Sequence, residues 1–219
     1  MTRVLILVEG QTEETFVRDV LAPYYYQYDI FLIQKIVETK RTKSGTAFKG
    51  GVSSYAKVKR DVLRLLGDSN ASAVTTMFDF YGLPNDFPGV SELPIGDCFQ
   101  HVQHLENAFS EDINNTSFHP YLSLHEFEGL LFTSPYEINA MFPRSSAQGA
   151  LENIRNSVNS PEEIDEGRTT HPSARLLSHL PTYRKRWHGP IIANRIGLDL
   201  IRKECSHFST WTTWLESLT

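Results

Sequence analysis

The sequence predicts an α/β fold: a mostly parallel sheet flanked by helices, followed by a helical C-terminal part. Apolar runs of strand length at residues 4–8, 30–37 and 73–80 alternate with helix-length amphipathic segments, the pattern of βαβ units. The first run, Val4-Leu5-Ile6-Leu7-Val8, is apolar at consecutive positions and carries three β-branched residues, as in a strand covered on both faces. The first and third of these runs finish in an acid followed by a glycine-bearing turn, at the sheet edge where open α/β folds place their sites.

Taken in order, the opening strand stops at Glu9, and Gly10 permits a sharp turn. Thr12 suits a helix N-cap, with Glu13 and Glu14 in the first turn, where acids favour the helix dipole. Residues 13–26 read as a helix with Phe16, Val17, Val20 and Leu21 as its apolar stripe. After the strand at 30–37 comes a basic, glycine-bearing stretch with Lys40, Arg41 and Lys43. It reads either as a phosphate-contacting loop or as a solvated connection, and it lacks P-loop spacing. A helix is expected over 53–66, with Tyr55, Val58, Val62, Leu65 and Leu66 on one side, and the strand at 73–80 then carries Asp79 near its end. The Pro- and Gly-rich 85–96 reads as loop, and 98–108 as a helix on which His101 and His104 share a face without an identifiable third metal ligand.

The stretch Pro120-Tyr121-Leu122-Ser123-Leu124-His125-Glu126-Phe127-Glu128-Gly129 repeats the strand-into-acid pattern. If a strand continues through both acids they share a face; if a helix starts between them they diverge. One of Glu126 and Glu128 is then expected at the site, the other holding a basic residue or a cap. Short helices follow at 137–142, 147–158 and 175–180, with a polar connector at 161–170. A helix is expected over 191–205, broken at Ser206-His207-Phe208, and a closing amphipathic helix carries Trp211, Trp214, Leu215 and Leu218. The run Tyr183-Arg184-Lys185-Arg186-Trp187-His188 is the most basic one with interleaved aromatics. It reads as a nucleic-acid contact through Arg184, Lys185 and Arg186, or as a surface turn over the core. Residues 1–140 are expected as the α/β core and 141–219 as a helical extension packed on it.

Composition narrows the function classes. An apolar content of 40% and a charged content of 21% suit a globular chain. The net charge of −5 gives no global attraction to nucleic acid or anionic membrane, so such binding needs a local basic face or a bridging metal. Cys98 and Cys205 lack paired spacing, which fits reduced thiols and a cytoplasmic location, and the first apolar run is too short to span a bilayer.

Glu9, Asp79 and one of Glu126 and Glu128, with Glu13 nearby, would meet at one sheet edge. Such acids cannot all stay ionised without a cation, because like charges raise one another's pKa. Oxygen donors without Cys or His select Mg²⁺ or Mn²⁺, with Ca²⁺ also accommodated, and Mg²⁺ held by carboxylates suits phosphodiester hydrolysis. Neither an activated acyl-transfer nucleophile nor a dinucleotide glycine fingerprint is present.

Three segments together resemble the DUF4276 family, a divergent branch of the TOPRIM superfamily. They are Val8-Glu9-Gly10-Gln11-Thr12-Glu13-Glu14-Thr15-Phe16, Phe78-Asp79-Phe80-Tyr81-Gly82-Leu83-Pro84 and His125-Glu126-Phe127-Glu128-Gly129-Leu130-Leu131-Phe132. The C-terminal Ile191-Ile192-Ala193 to Ile196-Gly197-Leu198 and Cys205-Ser206-His207-Phe208 also resemble it. The resemblance implies a TOPRIM-like, mostly parallel sheet of about four strands and a Mg²⁺ or Mn²⁺ site. In it Glu9 matches the first-strand glutamate, Glu13 the second acid of the nucleases related to OLD proteins, and Asp79 the first acid of Asp-x-Asp. The second acid of that motif is Tyr81 here, so Glu126 or Glu128 would supply the missing carboxylate. The resemblance further implies a metal-dependent nuclease acting on DNA or RNA, the effector of a phage-defence system with an ABC- or AAA-like ATPase partner. The alternative it allows is a catalytically inactive TOPRIM-like module that binds such a partner.

Overall fold

The structure, a computed structural model, describes residues 1–37, 52, 54–164, 167 and 169–219. Lys40, Arg41 and Lys43 lie outside the described residues. Strand β1 (Thr2–Val8) leads into helix α1 (Gln11–Phe16), which widens into a π turn at Val17–Leu21 before α2 (Ala22–Tyr25). Pro23 accounts for the widening: it has no N–H for the carbonyl four residues back, and its ring crowds that carbonyl in a regular α-helix. Asp29, left-handed at φ 55°, ends the segment. Then follow β2 (Ile30–Ile36), α3 (Tyr55–Leu66), β3 (Ala73–Asp79) and α4 (Cys98–Ile113).

The third acid-bearing segment departs from the other two. Instead of one strand it gives two-residue pairings, β4 (Phe118–His119) and β5 (Leu122–Ser123), and then a 3₁₀ run at Phe127–Thr133. All strand pairs are parallel, in the order β2-β1-β3-β4, with β5 pairing β3 further along. The remainder is helical: α5 (Pro135–Ala140), α6 (Gln148–Asn156), α7 (Pro172–His179), α8 (Lys185–Ile196), α9 (Leu198–Glu204) and α10 (Ser206–Glu216). The break expected only at Ser206-His207-Phe208 is two breaks, one at Gly197 (φ 83°) and one at Cys205.

Alternation along β1 divides the core. Leu5 and Leu7 face Val58 and Val62 of α3 and Val102, Leu105 and Phe109 of α4. Val4, Ile6 and Val8 face Phe16 and Val20 together with Leu176, Ile192, Phe208 and Trp211 from the C-terminal helices. Residues beyond 140 thus cover one face of the sheet, and Trp211 is tied to it by an indole N–H to Thr75 Oγ1 bond of 2.9 Å. No described helix is long and apolar enough to cross a membrane.

Candidate active site at the carboxyl edge of the sheet

The parallel register of β1 and β3, with Val8 opposite Met77, brings Glu9 and Asp79 side by side. The Asp79 N–H donates to Glu9 Oε2 at 3.3 Å. Gly82 makes room for this carboxylate, since a Cβ there would stand 3.2 Å from Glu9 Oε1. Glu13, one turn into α1, is 4% exposed, and a Cβ on Gly10 would lie 3.3 Å from its Oε2. The 3₁₀ run starts between the remaining two acids and separates them. Glu128 is wholly buried and accepts the Tyr183 hydroxyl at 3.2 Å, while the Phe127 N–H donates to Asp79 Oδ1 at 2.9 Å.

Glu126 turns outward to cap α7. It accepts the Ser173 N–H at 2.9 Å and the Ser173 hydroxyl at 3.1 Å, and it lies 3.1 Å from His171 Nδ1. Tyr81, at the position of the second motif acid, stacks its ring on His171 at 5.4 Å. His101 and His104 do not approach the acids: each has its Nε2 on a loop carbonyl, of Pro94 at 3.0 Å and Gly89 at 3.2 Å, fastening α4 to the preceding loop.

A cation already sits among the acids. Lys185 Nζ lies 2.8 Å from Glu128 Oε2, 3.2 Å from Asp79 Oδ2 and 3.9 Å from Glu13 Oε1. The run 183–188 is therefore no surface turn: Tyr183 is buried and α8 begins at Lys185. Arg184 and Arg186 are exposed, so of the three cations expected at a nucleic-acid backbone only Lys185 enters the cluster, because successive helical residues point about 100° apart. Nothing in the local sequence marks Lys185 for this place. The only available signal was general: buried acids demand a cation.

The electrostatics follow from burial. Glu9 is raised from 4.5 to about 7 by burial and by Asp79 beside it. Glu13 is raised to about 8 by burial and Asp79, with Lys185 opposing. Glu128 is raised to about 7, and Asp79 is raised as well, chiefly by burial in both cases. Glu126 behaves oppositely: burial would raise it, but Lys185 and the Ser173 and His171 contacts outweigh that and hold it below its ordinary value. For Lys185, burial favours the neutral amine, yet Asp79, Glu128, Glu13 and Glu126 keep it charged.

Among the described residues, no three His, Cys, Asp or Glu side chains stand ready-arranged as a metal-holding group. Glu13, Asp79 and Glu128 close around the lysine ammonium instead. The donor chemistry nevertheless fits a hard divalent ion. The four inner acids offer only carboxylate oxygens, and a divalent ion among them would favour the ionised forms that burial and mutual repulsion disfavour.

A parallel α/β sheet with carboxylates from three distant segments gathered at its carboxyl edge defines the class of protein. The chain belongs to the DUF4276 family, described as a domain of unknown function, whose sequence profile matches residues 8–216. No curated protein and no solved structure matches the chain.

Proposed function

We propose that this chain is a metal-dependent nuclease of TOPRIM type, hydrolysing phosphodiesters as the effector of a phage-defence system with an ABC- or AAA-like ATPase partner. The observation that carries the reading is the meeting of Glu13, Asp79 and Glu128 around one cation at the end of β1 and β3, with Glu9 joined to them through the Asp79 N–H. The resemblance of the three acidic segments to TOPRIM nucleases supports the metal and the partner.

Glu9, Glu13, Asp79 and Glu128 would hold Mg²⁺ or Mn²⁺, which when bound activates water and stabilises charge on a phosphodiester. The chain's own groups prepare that position. The Phe127 N–H holds one Asp79 oxygen and the Asp79 N–H holds one Glu9 oxygen, fixing both carboxylates before any ligand arrives. Tyr183 fixes Glu128 in the same way. Were such an ion bound, Lys185 would be the ammonium beside the carboxylates able to face a substrate phosphate.

One observation favours a second reading, a catalytically inactive module. Lys185 already satisfies three of the acids, and Tyr81 replaces an acid of the motif. Cleavage separates the two. Plasmid, single-stranded DNA and tRNA are incubated with Mg²⁺ or Mn²⁺ and wild type, Glu9→Gln or Asp79→Asn. The nuclease reading expects cleavage by wild type and a loss of more than about 100-fold in each variant, beyond that of an outer-sphere change. Equal cleavage by all three proteins overturns it, and an inert wild type supports the second reading.

A further inference from the structure

A groove of about 410 Å³ runs beside the acid cluster, between α8 and the wall formed by α1 and its π turn. Arg18, Arg186 and Arg195 line it, with Trp187, Pro190 and Ile191 as its apolar part. Trp187 is 66% exposed and Ile191 45% exposed, a wide apolar surface for residues so close to buried acids. Each wall carries a residue next in sequence to a member of the cluster. Glu13 points into the cluster and Glu14 lines the groove on one side; Lys185 and Arg186 do the same on the other.

We propose that this groove is the track of a single-stranded nucleic acid, with a base stacked on Trp187 and its backbone drawn along Arg186. The assignment rests on the nuclease reading for the reason a strand should pass the cluster, and deepens it by naming the strand as unpaired. Charge supports it. In a chain of net charge −5, the groove gathers three arginines against Glu14 and Asp19. Arg18 is occupied by a two-point contact with Asp19 at 2.7 and 2.9 Å and Arg195 by Glu137 at 3.3 Å, so of the three only the Arg186 guanidinium has no acid partner among the described residues. An exposed indole beside a free guanidinium recognises the flat face of a base and the phosphate next to it. A duplex hides those faces in its own stack, so the selection falls on unpaired strands. Neither feature reads a sugar, so DNA and RNA are both admitted.

Binding is measured by anisotropy in EDTA, where no divalent-dependent cleavage occurs, with labelled oligo-dT and oligo-rU of about ten nucleotides and a duplex of equal length. Wild type is expected to bind both single strands and the duplex at least about tenfold more weakly, the loss of one stacked base. Trp187→Ala is expected to weaken single-strand binding about tenfold while Trp187→Phe keeps most of it. Arg186→Ala is expected to reduce the salt slope by about one. Oligo-dT should quench tryptophan emission in wild type and not in Trp187→Phe, a signal that a purely structural role would not produce. Equal affinity for duplex and single strand, or unchanged binding by Trp187→Ala, overturns the proposal. The two readings fail separately: Trp187-dependent binding without cleavage sinks the nuclease alone, and Glu9-dependent cleavage without Trp187-dependent binding sinks the groove alone.

Discussion

Lys185 illustrates how much rests on single side chains in a buried acid cluster. Its ammonium offsets Glu13, Asp79 and Glu128, whose burial otherwise drives them toward their neutral forms. Removing one partner of a buried ion pair costs about 3–5 kcal/mol. Lys185 keeps 36% of its side-chain surface exposed, so water lessens that loss. Lys185→Met is therefore expected to lower stability by about 2 kcal/mol in EDTA, and millimolar Mg²⁺ should recover part of it by mass action. Urea unfolding with and without Mg²⁺ measures both, and an unchanged midpoint in EDTA would contradict the electrostatic account. The acids themselves were legible residue by residue. Glu9 and Asp79 directly end apolar strands, and a charge in that position needs a partner. Which of Glu126 and Glu128 faces inward depended on where the 3₁₀ run begins, and that is set by Phe127 donating its N–H to Asp79.

At the scale of elements, the site depends on how α7 and α8 seat against the 3₁₀ run. Gly189 is the contact point of α8: a Cβ there would stand 3.0 Å from Phe127 Cε1 and 3.3 Å from the Tyr183 hydroxyl. Gly189→Ala is expected to destabilise by about 1–3 kcal/mol through overpacking, and to displace Lys185 so that activity falls further than stability. Denaturation midpoints and cleavage rates compared side by side test this, and equal wild-type values in both would refute it. Glu126 anchors α7 by accepting two hydrogen bonds from Ser173. Glu126→Ala is expected to cost about 1–3 kcal/mol, the range for a lost charged hydrogen bond or cap, visible as a lower denaturation midpoint. The main helices and the three long strands were readable from periodicity. The start of α8 was not, because a run of Arg, Lys and aromatic residues has the same composition on a turn as on a helix whose buried side faces acids. Helices α9 and α10 divide at Cys205 for tertiary reasons: Glu162 accepts the N–H groups of His207 and Phe208 at 3.0 and 2.9 Å, capping α10 from a distant segment.

Across the whole molecule, the C-terminal helices close one face of the sheet, and a buried polar clamp joins them to the opposite half. His207 Nε2 lies 3.0 Å from Glu106 Oε1 on α4, and that oxygen also accepts the Leu122 N–H at 2.8 Å. Glu162 faces His207 through its backbone N–H, Tyr121 stacks on its ring, and His119 is close enough to oppose its charge electrostatically. Burial works against the charged imidazole, but Glu106 and Glu162 more than offset it and raise His207 above 6.5. A group raised in the folded state contributes fully below its unfolded pKa, and that contribution is lost as pH rises through the folded value. The stability gap between wild type and His207→Gln is therefore expected to be larger near about pH 6 than near about pH 8.5. Denaturant titrations at both pH values measure it, and a gap that grows with pH would contradict the clamp.

By itself the sequence determined the alternation of strands and helices, the parallel sheet and the strand-end placement of Glu9 and Asp79, because periodicity and the cost of burying an unpartnered charge act locally along the chain. Only the tertiary structure decided that Lys185 enters the cluster, that Glu126 caps α7 while Glu128 turns inward, and that Arg186 and Trp187 line a groove. Those outcomes depend on which helix face meets which sheet edge, a matter of packing between segments 47 or more residues apart that no local pattern encodes.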